Sequence, residues 1–311
     1  MTETNARERC GLVAVIGAPN AGKSTLVNAL VGQKVAIVSA KAQTTRARLM
    51  GIALEDLPTD AGGVDRVQII LADTPGIFEP RRRLDRAMVS AAWEGAVEAD
   101  AILLVVDARK KKRDYLEPIL AALAERKERK ILVLNKVDST PKEPLLVMAE
   151  ELSAQGSFDE VFFVSALTAD GVPELKRRLA ALMPEGVWHY PEDQVSDASE
   201  RLLATEITRE QLYRQLHDEL PYDSAVRPES YQHKPDGSVE IHQQIVIARD
   251  SQKSIVLGKG GARIKAIGEA ARKELADLLG VKVHLFLHVK VEEGWADSRE
   301  IYEEIGLDWV K

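Results

Sequence analysis

The sequence predicts an α/β domain with a mostly parallel sheet and one antiparallel edge strand, followed by a smaller α+β domain. Over residues 10–183, short apolar runs alternate with amphipathic stretches, the order that crossover connections impose on a parallel sheet. After residue 198 the order becomes helix, strand, strand, helix, helix, strand, which is not a second crossover domain. Between them, "PEGVWHYPEDQVSDA" (184–198) mixes two prolines with acids, as extended linkers do. The expected organisation is an N-terminal tail over 1–9, a first domain over 10–184, a linker over 185–198 and a second domain over 199–311. A length of 311 residues agrees, since single cores rarely serve more than roughly 250–300 residues.

Each element has a local reason. "GLVAVIG" reads as a buried strand and "GKSTLVNALVG" as the helix that follows. "RLMGIALED" and "VQIILADTPG" flank the turn-forming "DAGG", so they pair as an antiparallel hairpin at the sheet edge. "AILLVVDA", "KILVLNKVD" and "VFFVSAL" are strands; "YLEPILAALAER" and "GVPELKRRLAALM" are helices. In the second domain "SERLLATEITREQLYRQLHDEL" is helical, and "YDSAVRPESYQH" and "SVEIHQQIVIAR" pair around "KPDG". Two helices, "SIVL" and "GARIKAIGEAARKELADLL", flank a GKGG turn. "VKVHLFLHVKV" alternates as a strand, and "WADSREIYEEIGLDWV" adds a C-terminal helix.

Composition narrows the class. Hydrophobic residues at 45% and charged residues at 29% describe an ordinary globular chain, and no apolar run approaches the roughly 18 residues of a membrane span. The polar start "MTETNARERC" lacks the apolar core of a signal peptide. A single cysteine, Cys10, excludes an internal disulfide, so a cytoplasmic location is expected. Any membrane association would be peripheral, and a monomer is expected. A net charge of −7 argues against wrapping duplex DNA. Residues 249–273 nevertheless hold seven Lys or Arg against two acids.

The first domain carries a nucleotide-binding pattern. "GAPNAGKS" fits G-x-x-x-x-G-K-[ST] between a strand and a helix. Backbone N–H groups of Gly17, Ala18, Pro19, Asn20, Ala21 and Gly22 turn around phosphate (proline excepted, having none), and Lys23 supplies charge at the β- and γ-phosphates. Ser24 offers a hydroxyl to Mg²⁺, with Thr25 beside it. "DTPG" and the residue after it (Asp73, Thr74, Pro75, Gly76, Ile77) follow a strand; Asp73 would hold the metal and the Gly76 N–H would sense the terminal phosphate. "NKVD" (Asn135, Lys136, Val137, Asp138) selects the base. A carboxylate accepts from guanine N1–H and N2, whereas adenine presents an acceptor there. "SAL" (Ser165, Ala166, Leu167) closes the pocket with a backbone donor for the guanine carbonyl. "AKAQTTRAR" supplies a threonine to the metal shell when GTP is bound, Thr45 first and Thr44 as the alternative. Lys23, Thr45 and Gly76 are thus the expected catalytic group.

These residues resemble the translation-factor-related class of GTPases with their P-loop fold. "GAPNAGKSTLVNAL", "QTTR" and "DTPGI" resemble, more narrowly, the Era family of bacterial GTPases acting in small-ribosomal-subunit assembly, along nearly the whole chain. The glutamine that positions water in many switch GTPases is replaced by Ile77, so hydrolysis is expected to be slow, without a side-chain general base. Asn20 is either a turn-forming residue or, as in related GTPases, a potassium ligand near the phosphates.

"SIVLGKGGARIKAI" lacks the spacer and the Ser/Thr of a second phosphate loop, and it joins two helices. It resembles the GXXG turn of a type II KH domain, which clamps about four single-stranded nucleotides. The candidate RNA contacts are Ile255, Gly258, Lys259, Gly260, Gly261, Arg263 and Lys265. Val256 and Ile264 also qualify as groove residues, and the sequence does not tell groove from core. The family resemblance implies the 3′ end of small-subunit ribosomal RNA and the 30S subunit as partners. A constitutive RNA-binding adaptor with structural GTP is the alternative. "ARKKKRDY" and "ERKERK" read as solvated helix ends, and Trp188, His189 and Tyr190 as a staple between domains.

Overall fold

A computed structural model describes residues 7–39, 41, 44–46, 48–60, 62–97, 99–217, 220–304 and 306–310. Most of the expected tail, and Gln43 of "QTTR", lie outside the described residues. The chain divides into two compact units. One comprises Met1–Ala36, Thr45–Pro80 and Met88–Asp197; the other comprises Ile37–Thr44, Arg81–Ala87 and Ala198–Lys311.

The first unit runs β1 (Glu8–Ile16), α1 (Lys23–Val31), β2 (Leu49–Pro58), β3 (Val64–Asp73), α2 (Arg83–Val97, its first turn grouped with the other unit), β4 (Ala101–Asp107), α3 (Glu117–Ala124), β5 (Arg129–Asn135), α4 (Lys142–Gly156), β6 (Glu160–Val164) and α5 (Val172–Leu182). The sheet order is β2-β3-β1-β4-β5-β6. Only the β2–β3 pair is antiparallel, at the edge where the hairpin was expected. Alternation decides what each strand residue packs on. Val13, Val15, Leu103, Val105, Ile131 and Val133 meet Leu26 and Leu30 of α1 and Leu175 and Leu179 of α5. Ala14, Ile16, Ile102, Leu104, Leu132 and Leu134 pack with residues of α2, α3 and α4. Both faces are therefore covered, which is why β4 and β5 are near-continuous apolar runs.

The sequence reading had no counterpart for α2 or α4. The inward stripe of α2 sets the small residues Ala87, Ala92 and Ala96 beside Leu84 and Met88, and so looks weakly apolar. In α4 the stripe Leu145, Met148 and Leu152 is blurred by exposed Leu146 and Val147.

The segment after α5 is fastened within the first unit. Gln68 is fully buried, and its Oε1 accepts from the N–H groups of His189 and Tyr190 while its Nε2 donates to the Tyr190 carbonyl. Trp188 and Tyr190 pack on Cys10, Met50, Ile70 and Ala72. Further on, Ile52 N donates to Val195 O at 2.8 Å, Gly51 bridges to Ser196, and Met50 N donates to Asp197 Oδ1 at 3.0 Å. Burial raises the Asp197 carboxyl above its ordinary pKa, against the pull of that hydrogen bond.

The second unit runs α6 (Glu200–Gln215), β7 (Ser224–His233), β8 (Val239–Ile247), α7 (Asp250–Leu257), α8 (Ala262–Leu279), β9 (Val283–Val291) and α9 (Arg299–Glu304). Ser199 caps α6 through its hydroxyl, accepting from Leu202 N. β8 lies between antiparallel β7 and parallel β9. Its inward residues Ile241 and Ile245 pack with Ala204, Ile207 and Leu212 of α6, Val256 of α7, and Ala271 and Leu275 of α8. The C-terminal helix is shorter than expected. Tyr302 O accepts from Leu307 N, with Gly306 at φ 75°, which ends the helix before "GLDWV". Among the described residues no helix is long and apolar enough to cross a membrane.

Candidate functional site: a nucleotide pocket and a GXXG turn

Because β1, β3, β4, β5 and β6 run parallel, their carboxyl ends share one edge, where α/β sheets bind ligands. Gly17–Gly22 follows β1, "DTPG" and "NKVD" begin at the last residues of β3 and β5, and "SAL" follows β6. Four segments distant in sequence are thereby gathered.

The first loop is shaped by its glycines. Gly17 has φ +145°, and a Cβ there would lie 2.3 Å from the Val105 carbonyl oxygen. A Cβ on Gly22 would meet Asn135 Nδ2 at the same distance. Lys23 opens α1 with only 6% of its surface exposed, and its Nζ donates to Gly17 O and Ala18 O at 3.2 Å. Burial lowers its pKa to about 8, against the opposing charge of Asp73. The ammonium is thus held inside the loop, where phosphate oxygens are expected.

The three expected metal ligands converge. Ser24 Oγ donates to Asp73 Oδ2 at 2.7 Å, and Thr45 Oγ1 lies 3.2 Å from that oxygen and 2.9 Å from Ser24 Oγ. Two hydroxyls and a carboxylate form a hard, all-oxygen set, which suits Mg²⁺. Thr44 is elsewhere, its hydroxyl bonded to Ser39 Oγ and Lys41 O. Thr74 Oγ1 donates to Val15 O at 2.7 Å, Ile77 N donates to Gly17 O at 3.0 Å, and a Cβ on Gly76 would lie 2.7–2.9 Å from Pro19. The "DTPG" segment is therefore laced against the first loop by its backbone. Ile77 buries its side chain in the core, away from the pocket. Thr25 is half-buried on α1.

At the base end Asn135 joins three motifs. Its Nδ2 donates to Ala21 O, and its Oδ1 accepts from Lys136 N and Ala166 N at 2.8–3.0 Å. The Ala166 N–H, expected among the pocket donors, is thus occupied by Asn135. Lys136 adopts a left-handed backbone, and its Nζ bridges Asn20 O (2.6 Å) and Asp107 Oδ2 (2.8 Å). Val137 packs on the core, Ser165 is buried, and Asp138 and Leu167 stand exposed at the lip. Asn20 has φ 63°, a region asparagine tolerates better than most residues.

Asp107 is a residue the sequence reading missed. Burial pushes its carboxyl up, yet hydrogen bonds from Arg109 and Lys136 overcome this and hold its pKa at about 2. Its position as the last residue of β4, in line with Asn135 of β5, was the available signal. The neighbouring basic run is largely engaged: Arg109 on Asp107, Arg113 on Glu151, and Lys110 over the Tyr115 ring.

In the second unit, α7 and α8 meet at the GKGG turn. Gly258, Gly260 and Gly261 all have positive φ, and a Cβ on Gly258 would lie 2.8–2.9 Å from Arg263. Lys259 and Lys265 are exposed, and Arg263 reaches back to the Ile255 carbonyl. The three apolar candidates separate: Val256 is fully buried, Ile264 packs partly on the core, and Ile255 is 48% exposed. One depression at the turn is lined by Gly258, Lys259, Ala262, Arg263 and Ala266. A second, between α8 and β9, is lined by Ile264, Lys265, Gly268, Arg272, Phe286 and Leu287. Gly268 and Phe286 were not singled out in the sequence, because only the fold brings β9 beside α8.

Known proteins share this combination. The family model described as 50S ribosome-binding GTPase matches residues 12–136, and that of the KH domain matches residues 219–296. GTPase Era of Erythrobacter litoralis is 73% identical over 308 residues, 99% of this chain and 100% of its own length. GTPase Era of Afipia carboxidovorans is 55% identical over 303 residues, 97% of this chain and 96% of its own. The crystal structure of Era in complex with MgGDPNP and nucleotides 1506–1542 of 16S ribosomal RNA matches with a TM-score of 0.88 at 36% identity, over 96% of this chain and 99% of that one. A variant of Aquifex aeolicus Era bound to GDP.AlF4- matches with a TM-score of 0.87 at the same identity and coverage. With a nucleotide pocket and a KH unit in one polypeptide, and such identity along its full length, the chain belongs to the Era family of GTPases.

Proposed function

We propose that this GTPase is a nucleotide-controlled RNA-binding factor of small-ribosomal-subunit assembly. The observation that carries the nucleotide half is the meeting of Ser24, Thr45 and Asp73 oxygens within 3.2 Å beside a buried lysine. Lys23 holds the β- and γ-phosphates, and Ser24, Thr45 and Asp73 hold Mg²⁺, which supplies charge neutralisation when bound. The Gly76 N–H reads the γ-phosphate, and Asp138 accepts from guanine N1–H and N2. With Ile77 in the core, no side chain acts as general base, and hydrolysis is slow, resting on positioning and electrostatics.

The GKGG turn grips single-stranded RNA. The Era complex with nucleotides 1506–1542 of 16S ribosomal RNA supports the 3′ end of small-subunit ribosomal RNA as its target. The domain limits proposed are 10–184 and 199–311, joined by 185–198. The chain works as a monomer in the cytoplasm on the 30S subunit, and any membrane association is peripheral. Potassium at Asn20 is a further part of the reading; hydrolysis faster in K⁺ than in Na⁺ supports it, and equal rates remove it.

The test is RNA affinity with GTP, with GDP and without nucleotide. A ligand shifts a conformational equilibrium only by its differential affinity, so affinities that differ support control by nucleotide. Identical values support the constitutive adaptor. Asp138→Asn is expected to weaken GTP binding and improve xanthine-nucleotide binding, measured by competition; unchanged preference removes the base assignment.

A further inference from the structure

Asp107 ends β4 level with Asn135 of β5, and the residues two and four positions before it, Val105 and Leu103, lie on the sheet face that α1 covers. By alternation its carboxylate emerges under the loop that joins β1 to α1. It is 3% exposed, a costly place for a charge without partners. Two cations supply them from opposite sides. Arg109 closes a fork on it, Nε donating to Oδ1 at 3.0 Å and Nη2 to Oδ2 at 2.9 Å, and the Arg109 N–H adds a third bond to Oδ1. Lys136 Nζ donates to Oδ2 at 2.8 Å. The Arg109 guanidinium is held above its ordinary pKa chiefly by these bonds to Asp107 and in smaller part by the charge of Asp138.

The Lys136 stem crosses the first loop, since a Cβ on Gly22 would lie 3.7 Å from its Cε, and its ammonium ends on the Asn20 carbonyl at 2.6 Å. A lysine has a flexible four-carbon stem and a strongly hydrated head, so a single carbonyl is a weak hold on it. Asp107, fixed by the Arg109 fork and by its place in the sheet, adds the opposite charge that keeps the ammonium there. The Asn20 backbone it reaches is left-handed, at φ 63°, midway along the phosphate loop. We propose that Asp107 is a positioning residue for guanine nucleotides: by holding the Lys136 ammonium on the Asn20 carbonyl, it straps the phosphate loop to the base-reading segment before the nucleotide arrives. Such preorganisation raises affinity because less ordering is left to the binding step. The strap is made at the loop backbone, apart from Thr45, Gly76 and Asp138, so it serves GTP and GDP alike. This role rests on the nucleotide pocket assigned above and adds a residue to it.

The test uses the full chain, with affinities for GDPNP and GDP measured by calorimetry well below the melting temperature of each variant. Asp107→Asn keeps the shape and removes the charge. It is expected to weaken both nucleotides to the same extent, roughly tenfold or more, the scale of one hydrogen bond to a charged group. The preference for guanine over xanthine nucleotides stays as in wild type, because Asp138 is untouched. Lys136→Met keeps the stem and removes the ammonium. Adding Asp107→Asn to it is expected to cost no further affinity, as residues acting through one contact require. The double variant leaves no unpaired lysine, so this comparison stands even where Asp107→Asn alone does not fold. Wild-type affinities in folded Asp107→Asn, a loss confined to GDPNP, a changed base preference, or additivity with Lys136→Met each overturns the role, and the first of these leaves Asp107 a purely structural residue. Asp138→Asn separates the two levels. If it shifts the base preference while Asp107→Asn leaves both affinities intact, only the strap fails; if it leaves the preference unchanged, the pocket assignment itself fails.

Discussion

The two glycine loops of this chain use nearly the same ingredients and reach opposite results. In Gly17–Ser24 the glycines are pressed against neighbours, so that a Cβ on Gly17 or Gly22 would collide at 2.3 Å, and Lys23 is buried. In the GKGG turn, a Cβ on Gly260 or Gly261 would meet nothing within 4 Å, and Lys259 is exposed. The first is a closed cradle that fits one compact polyphosphate. The second is an open ledge that a chain can enter and leave at both ends. Depth, set by what packs behind the loop, distinguishes the ligands more than the glycine-lysine composition does.

The sharpest way to break the comparison is Lys23→Ala. Losing the charge at the phosphates should lower GTP hydrolysis roughly 10²- to 10³-fold in a phosphate-release assay, while RNA affinity without nucleotide stays at the wild-type value. Reversing the other lysine, Lys259→Asp, should weaken RNA binding about tenfold or more, steepest at low salt, and leave GTP affinity alone. Glycine substitutions sharpen the contrast within the ledge itself. Gly258→Ala faces both a positive φ and a 2.8 Å contact with Arg263, so it should lower the melting temperature more than Gly260→Ala, whose only cost is backbone strain of about 1–2 kcal/mol.

The smallest expected effect concerns Asp107 and pH. Its folded pKa of about 2 lies below the ordinary carboxylate value, so its stabilisation is fully present above roughly pH 4 and is lost as pH falls through about 2. Asp107→Asn should therefore melt a few degrees lower at neutral pH and converge with wild type in acid, as followed by thermal unfolding. Parallel melting curves at all pH values would remove the electrostatic role.

Much of this was legible because local rules and fold agreed. The first loop, "DTPG" and "NKVD" each sit where a parallel strand ends, and strand ends can be read from apolar runs. The order of the second unit was readable for the same reason. What escaped were features that only packing creates. Asp107 gains its importance from Lys136 and Arg109 arriving from either side. Val256 looks like a groove residue until α7 turns it inward onto Ile245 and Ile247. Alanine-rich α2 was missed because close packing, not hydropathy, holds it.

The segment that runs beside β2 has a consequence for solubility. An outermost strand with unmet amide groups is a template for neighbouring molecules, and natural sheets usually blunt such borders. Here the hydrogen bonds from Met50 and Ile52 to Asp197 and Val195 cover that border with an acidic stretch of the same polypeptide. A truncated fragment ending at residue 184 would lay it bare, and self-association of that fragment is the behaviour to expect.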